Sequence, residues 1–290
     1  MKMVSAAGRP HGYGANDVSL AEQIARIESR IRAQPTTASH RWALFQLLCV
    51  TGDWTRAVLQ LQTWAKLEPR QTQTAQAFRD LIRAERWRQK VFAGHERPGF
   101  VAEPAVWVKE MIGALRLAAD GQSGAADDAR ERALDTAPPI SARTQQCIAG
   151  WIADSDTRLG PICEVVTAGH YRWVPFTELA AWHISLPKHL IDLVWTPCVL
   201  TLTDGSDIRG FMPARYPGSE AATDTLRLGG ETVWEESGRT AVIALGQKTW
   251  TTDQGDFGLF ELASMEFGAY AKHDRSANGV TTGEQIDDRA

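Results

Sequence analysis

The chain has 290 residues, more than one domain usually holds, and its 43% hydrophobic and 23% charged residues are the balance of a soluble globular protein with a sizeable core. A formal net charge of −4 argues against general nucleic-acid binding, and no apolar run approaches the roughly 18 residues that a bilayer span needs. The charge is unevenly placed: residues 1–143 carry 20 Lys and Arg against 15 Asp and Glu, while the remainder carries 11 against 20.

Residues 1–18 hold Gly8, Pro10, Gly12 and Gly14 and no apolar period, so they read as a flexible leader, and they lack the apolar core of a signal peptide. Leu20, Ile24, Ile27 and Ile31 then recur at helical spacing behind Ser19, a suitable N-cap, with Pro35 beyond the end. Pro35 and Pro69 stand 34 residues apart. Between them Leu44, Phe45 and Leu48 mark one helix, Gly52-Asp53-Trp54 a reversal, and Ala57 and Leu61 a returning helix. These classes of residue at this period match a tetratricopeptide unit. Trp64 departs from it, replacing the usual alanine and implying a wider gap filled by a neighbouring element. Gly121, Ala126, Ala133 and Pro138 fall at matching offsets, giving a further unit over about residues 107–140. The stretch 72–106 fits poorly, although Phe78, Leu81 and Ile82 mark a helix. Residues 19–140 are therefore expected to form a short, irregular TPR-like helical array, with a generic bundle as the alternative.

Two features of this half have the chemistry of a binding surface. Trp42 lies two positions before Leu44, which turns it with Gln46 and Cys49 towards the concave side of such an array. It is equally open to being covered by the Ser19–Ile31 helix or by the other domain. Arg79, Arg83, Arg86 and Lys90 follow helical spacing and form one cationic stripe. That stripe is either a solvated face, partly neutralised by Asp80, Glu85 and the acidic half, or a seat for an acidic segment of a partner.

After Pro138-Pro139 the pattern changes to tryptophan, glycine, threonine and two-residue alternation, which places a domain boundary near residues 139–147. Expected strands are Ile162–Val166 and Tyr171–Val174 around Ala168-Gly169, then Trp182–Ile184, with a helical turn over Pro187–Trp195. A central hairpin follows, Val199–Thr203 and Ile208–Met212 about Asp204-Gly205. Its flanks, Trp195-Thr196-Pro197 and Arg215–Glu220, read as stiff segments that end strands. Glu231–Glu235, Ala241–Leu245, Lys248–Thr252 and Gly258–Leu262 complete the set. Many short strands at this spacing point to a curved sheet or barrel-like domain over 147–273, with 274–290 as a disordered tail. The fold class is α+β.

Catalytic chemistry is thinly represented. Asp154 and Asp156 have a spacing that can present two carboxylates to a divalent cation, and Arg158 can hold a phosphate. The competing reading is that Asp and Arg beside Gly160-Pro161 brace a loop. No further ligand stands nearby, and no phosphate loop or nucleophile motif occurs. His183 and His189 are separated by Pro187. Cys49, Cys147, Cys163 and Cys198 have no paired spacing and read as buried thiols in a reducing compartment. No metal or cofactor is expected.

Several separated blocks carry a resemblance: GWIADSDTRLGPICEV (150–165), YRWVPF (171–176), DLVWTP (192–197), ARYPGSE (214–220), LRLGGETVWEE (226–236), LGQKTW (245–250) and DQGDFGLFEL (253–262). Together they resemble the ImpE family, also called TagJ or SciE, accessory components of type VI secretion systems. The resemblance implies a non-catalytic cytoplasmic adaptor that binds an N-terminal helix of the small sheath subunit and links it to the ClpV disassembly ATPase. It does not imply which residues form the groove. The candidates are Trp42, Gln46, Arg79, Arg83 and Arg86, together with Trp195, Arg215 and Tyr216 beside the central hairpin, which fit an interface either with a partner or between the two domains. Arg215 beside Tyr216 can stack and pair with a partner's carboxylate, or be pinned internally to Glu220 or Asp192. Two other functions compete: a TPR-like scaffold for an unrelated cytoplasmic peptide, and a metal-dependent hydrolase using Asp154 and Asp156.

Overall fold

The computed structural model describes residues 2–5, 18–145 and 148–268. Helices come first and an antiparallel, strand-rich half follows, so the chain is α+β. Helix α1 (Leu20–Ala33) begins where Ser19 accepts the Glu22 N–H at 3.2 Å, which satisfies one of the donors that a helix start leaves open. Helices α2 (Ala38–Val50) and α3 (Trp54–Leu67) form an antiparallel hairpin. It turns at Gly52, whose φ of 72° favours glycine, and Asp53 caps α3 by accepting the Arg56 N–H. Helices α5 (Val106–Ala119) and α6 (Ser123–Thr136) repeat this arrangement around Gly121 at φ 75°. Between the hairpins, where the repeat template fits poorly, stands one 21-residue helix, α4 (Thr72–Phe92). The described helices do not carry the repeat beyond the two hairpins. Trp64 fills its wider gap by packing on Trp42, with ring centroids 4.6 Å apart.

In the second half, β2 (Ala142–Arg143), β3 (Ile148–Ala149) and β4 (Ile152–Asp154) precede the hairpin of β5 (Ile162–Thr167) and β6 (His170–Pro175). Strand β7 (Leu179–Ile184) leads through a 3-10 turn over Leu190–Leu193 to the central hairpin, β8 (Trp195–Leu202) and β9 (Asp207–Pro213). The segment Trp195-Thr196-Pro197 does not end a strand as expected. It opens β8, paired with Pro213, Met212 and Phe211, and Pro197 still offers its carbonyl to the Ser185 N–H. After α7 (Asp224–Arg227) come β10 (Thr232–Ser237), β11 (Ala241–Gly246), β12 (Thr249–Thr252), β13 (Gly255–Gly258) and β14 (Ser264–Phe267). Of the expected strand over Gly258–Leu262 only Gly258 is in a strand, as the last residue of β13, and residues 259–262 form a turn before β14.

Eight strands form one open antiparallel sheet in the order β3-β2-β14-β7-β8-β9-β5-β6, accompanied by two three-stranded sheets, β13-β12-β4 and one in which the first strand, Lys2–Ser5, lies beside β10 and β11. No closed barrel forms among the described residues. Strand β1 (Lys2–Ser5) pairs with β10 in the register Lys2 to Glu235, so the expected leader contributes a paired strand at its start. The rest of that leader to residue 17 lies outside the described residues, as does the expected tail over 274–290.

Helix α6 ends at Thr136 and β2 begins at Ala142, yet one hydrophobic core crosses that junction. It joins Phe45, Leu48, Leu61, Ile82 and Met111 of the helices to Ile162, Tyr171, Trp173, Val194 and Trp195. A second cluster is internal to the strand-rich half and centres on Phe176, Trp182, Trp250 and Phe267. No described helix is long and apolar enough to cross a membrane.

The approach of β9 to β5 depends on the missing side chain of Gly210, where a Cβ would stand 2.4 Å from the Val166 carbonyl oxygen. The variant Gly210→Ala must push these strands apart, and a loss of about 2 kcal/mol is expected in urea unfolding. An unchanged unfolding midpoint would contradict the close approach.

Candidate functional site

The apolar face of α4 that carries Leu81, Ile82 and Val91 also carries Arg88, which is 1% exposed. Strand β5 presents Glu164 to it, and the residue before β12 presents Lys248; both are fully buried. Arg88 grips Glu164 with two bonds, Nε to Oε1 at 2.6 Å and Nη2 to Oε2 at 3.0 Å. Lys248 Nζ bridges Glu164 Oε2 and Asp154 Oδ2, each at 2.6 Å. The Tyr171 hydroxyl donates to Glu164 Oε1 at 2.6 Å and accepts from Trp173 Nε1. Arg88 Nη1 donates to Glu85, whose other oxygen accepts from Trp195 Nε1 at 2.9 Å.

Burial alone raises the Glu164 carboxyl, but the Arg88 and Lys248 charges outweigh it and hold the group well below the usual carboxylate range. Asp154 is balanced differently. Burial pushes it up to about 6, with Lys248 pulling down and Asp156 adding to the rise. Burial lowers Arg88 and Lys248, and their carboxylate neighbours more than offset this, so both end raised.

The second tie between the halves is Arg215. Its guanidinium donates to the Val50 carbonyl at 2.6 Å, to the Cys49 carbonyl at 2.9 Å and to the Arg227 carbonyl at 2.8 Å. The first two are carbonyls at the end of α2, which lack partners within the helix and carry its negative dipole end. Around this contact, Gln89 donates to Glu220 at 2.9 Å, Gln46 accepts the Ile191 N–H, and the Trp54 and Trp195 rings lie 5.6 Å apart. The Tyr216 hydroxyl donates to Asp154 Oδ1 at 2.7 Å and accepts the Thr249 N–H at 2.9 Å.

These positions revise the candidate list. Trp195, Arg215 and Tyr216 are interior groups, at most 3% exposed; Trp195 and Arg215 join the two halves, as the inter-domain alternative has it, and Tyr216 braces the strand-rich half from within. Arg215 is pinned internally, as one of its two readings has it, but its hydrogen bonds go to backbone carbonyls, with Glu220 acting on it through charge alone among the described residues. Gln46 belongs to the same junction. Trp42 is half-buried against Phe45, Trp64 and Phe78, so α3 and α4 cover it in place of a concave binding face. Arg79, Arg83 and Arg86 lie apart, on the side of α4 turned away from Arg88.

Asp154 and Asp156 are both buried. Asp154 accepts the Asp156 N–H at 2.9 Å, while Asp156 accepts the N–H of Arg158 at 3.0 Å and that of Ala244 at 3.1 Å. Their spacing serves a loop brace. Among the described residues, no group of three or more His, Cys, Asp and Glu side chains is placed to hold a metal. Cys49, Cys163 and Cys198 are buried free thiols, and burial pushes each one up, Cys198 to about 12. Cys147 lies outside the described residues.

Sequence reasoning missed Arg88, Glu164 and Lys248. A signal was present in each case: Arg88 sits opposite the cationic stripe among apolar positions, and Glu164 and Lys248 are lone charges inside ICEVV and LGQKTW. Lone charges in buried runs are stable only when paired.

Residues 148–266 match the family model described as ImpE protein. Over 249 residues the chain is 38% identical to the type VI secretion system accessory component TagJ of Pseudomonas aeruginosa, spanning 86% of this chain and 87% of that protein. A crystal structure of a Vibrio parahaemolyticus protein is similar, with a TM-score of 0.79 and 25% identity over 86% of this chain and 93% of that one.

Removing one member of a buried ion pair leaves its partner charged and unsolvated, so Glu164→Gln is expected to cost about 3–5 kcal/mol in guanidinium unfolding. A loss below about 1 kcal/mol would show that the network does not hold the halves together. Folding lifts Asp154 from 3.8 to about 6, so the folded state holds the extra proton. The stability this group contributes is full below about pH 4 and is lost as pH rises to about 6. Asp154→Asn is expected to remove that fall, read as unfolding free energy at the two ends of the interval.

Proposed function

This chain belongs to the ImpE family, and from that membership we infer that it serves as a non-catalytic adaptor in a bacterial type VI secretion apparatus. The observation that carries the reading is the 38% identity to the Pseudomonas aeruginosa accessory component over 86% of this chain. The geometry supports an adaptor in a second way. The charged groups of the interior are engaged with one another or with backbone, and they fasten the helical half to the strand-rich half. Such a scaffold holds surfaces on both halves in fixed relation, which favours recognition without a large ordering cost.

The finer proposal is that the adaptor binds an N-terminal helix of the small sheath subunit and links it to the ClpV disassembly ATPase. An amphipathic helix laid in a groove is the recognition mode such a segment uses. The hairpins over residues 38–67 and 106–136 support a TPR-like reading of the helical half. The proposal places the protein in the cytoplasm with those partners.

Immobilised chain is expected to retain the intact small sheath subunit and to lose it when the N-terminal helix is deleted. Equal retention of both forms would sink helix recognition. In the same assay ClpV is expected to be recovered with the sheath subunit only when the chain is on the resin.

A further inference from the structure

Helix α4 has two charged faces with different fates. Arg88 on the inner face is fully paired, whereas the outer face carries Arg79, Arg83, Arg86 and Lys90 together with Trp87. The rise of 1.5 Å per residue spreads these cations over about 16 Å. Arg83, Arg86 and Lys90 are exposed. Among the described residues their internal partners are sparse: Arg83 meets Asp80 at 3.1 Å, Arg86 meets the Thr55 hydroxyl at 3.3 Å, and Arg79 Nε, a buried atom, has no hydrogen-bond partner. Asp80 is the only carboxylate in an ion pair with the stripe among the described residues.

Trp87 makes the stripe more than a solvated row of charge. The residue is 40% exposed, yet its ring is held in place, because Nε1 donates to the Arg97 carbonyl at 2.9 Å and the Lys90 ammonium sits 5.8 Å from the ring centroid. A fixed exposed tryptophan framed by cations has the composition of a binding hot spot, and its ordering cost is already met within the fold. The whole chain is acidic at −4, so a long polyanion would meet repulsion beyond the stripe, whereas a short acidic segment would meet only the cations.

We propose that the outer face of α4, from Arg79 to Lys90 with Trp87 beside Arg83 and Lys90, docks an acidic segment of a protein partner that seats an apolar side chain against the Trp87 ring. The proposal extends the adaptor reading by adding a contact surface, but it rests on the charge geometry of α4 alone. Its test contains no sheath subunit, so the two fail separately.

The probe is a fluorescein-labelled, glutamate-rich peptide of about 12 residues with one central leucine, the length of chain that covers the stripe as helix or loop. Fluorescence anisotropy with the full chain at low salt is expected to show binding that weakens as salt is raised. The double variant R83E/R86E is expected to weaken binding about tenfold or more. The control R30E/R116E, which makes the same change in net charge at exposed positions elsewhere, is expected to leave it within about twofold. Trp87→Ala is expected to weaken binding several-fold, and to the same degree as replacing the peptide's leucine by alanine. All four substituted arginines are exposed, and coincident thermal melts would show that these variants fold. Absence of peptide binding at low salt, equal losses in the two double variants, or an effect of Trp87→Ala that differs from that of the peptide's leucine replacement would overturn the proposal. Tighter binding of a single-stranded oligonucleotide or of phosphatidylserine vesicles than of the peptide would also overturn it.

Discussion

Glu164 is a carboxylate with no access to water, held between Arg88 from a helix and Lys248 from beside a strand. Taking such groups out of water costs several kcal/mol per ion, and only close pairing with further hydrogen bonds repays that cost. The requirement is met here by drawing on both halves of the chain. Arg88 comes from the helices, while Glu164, Lys248, Asp154 and Tyr171 come from the strands. Neither half can leave the other without stranding charge in an apolar surface. The shared hydrophobic core across the same junction adds a non-directional attraction, and the ion network sets its register.

That constraint explains the wording of the stretches that resemble the ImpE family. In ARYPGSE, Arg215 closes the end of α2, Tyr216 braces Asp154, and Gly218 supplies a φ of 93° that favours glycine. Ser219 then donates to the Tyr216 carbonyl and accepts the Gly246 N–H. In DLVWTP, Asp192 accepts the N–H groups of Lys188 and His189, and Trp195 reaches Glu85. These blocks encode how the halves are joined. The outward face of α4, by contrast, keeps Arg83, Arg86, Trp87 and Lys90 exposed.

Much of the local structure was legible. The 3.6-residue period of apolar groups marked α1 to α3 and the latter parts of the helical half, and the glycines at 52, 121 and 205 marked reversals because they adopt φ above +70°. The candidate site was far less legible. The loop-brace reading of Asp154 and Asp156 agrees with the bonds they make, whereas Trp195, Arg215 and Tyr216 were open to an interface with a partner or between the domains, and all three are interior. Composition cannot distinguish these cases, since a tryptophan beside an arginine serves an interface and a core equally well.

By itself, then, the sequence determined the order of helices and strands, the positions of most turns and the family resemblance, because backbone φ requirements and apolar periodicity act over a few residues. The tertiary structure decided that α4 is one long helix in place of a repeat, that residues 259–262 are a turn, and that the expected domains share one core. It also decided which charges are inside. Arg88 meets Glu164 across 76 positions and Arg215 meets Cys49 across 166. Whether a lone charge is exposed or buried and paired depends on what folding brings to it from that far away, and no local spacing in the chain records it.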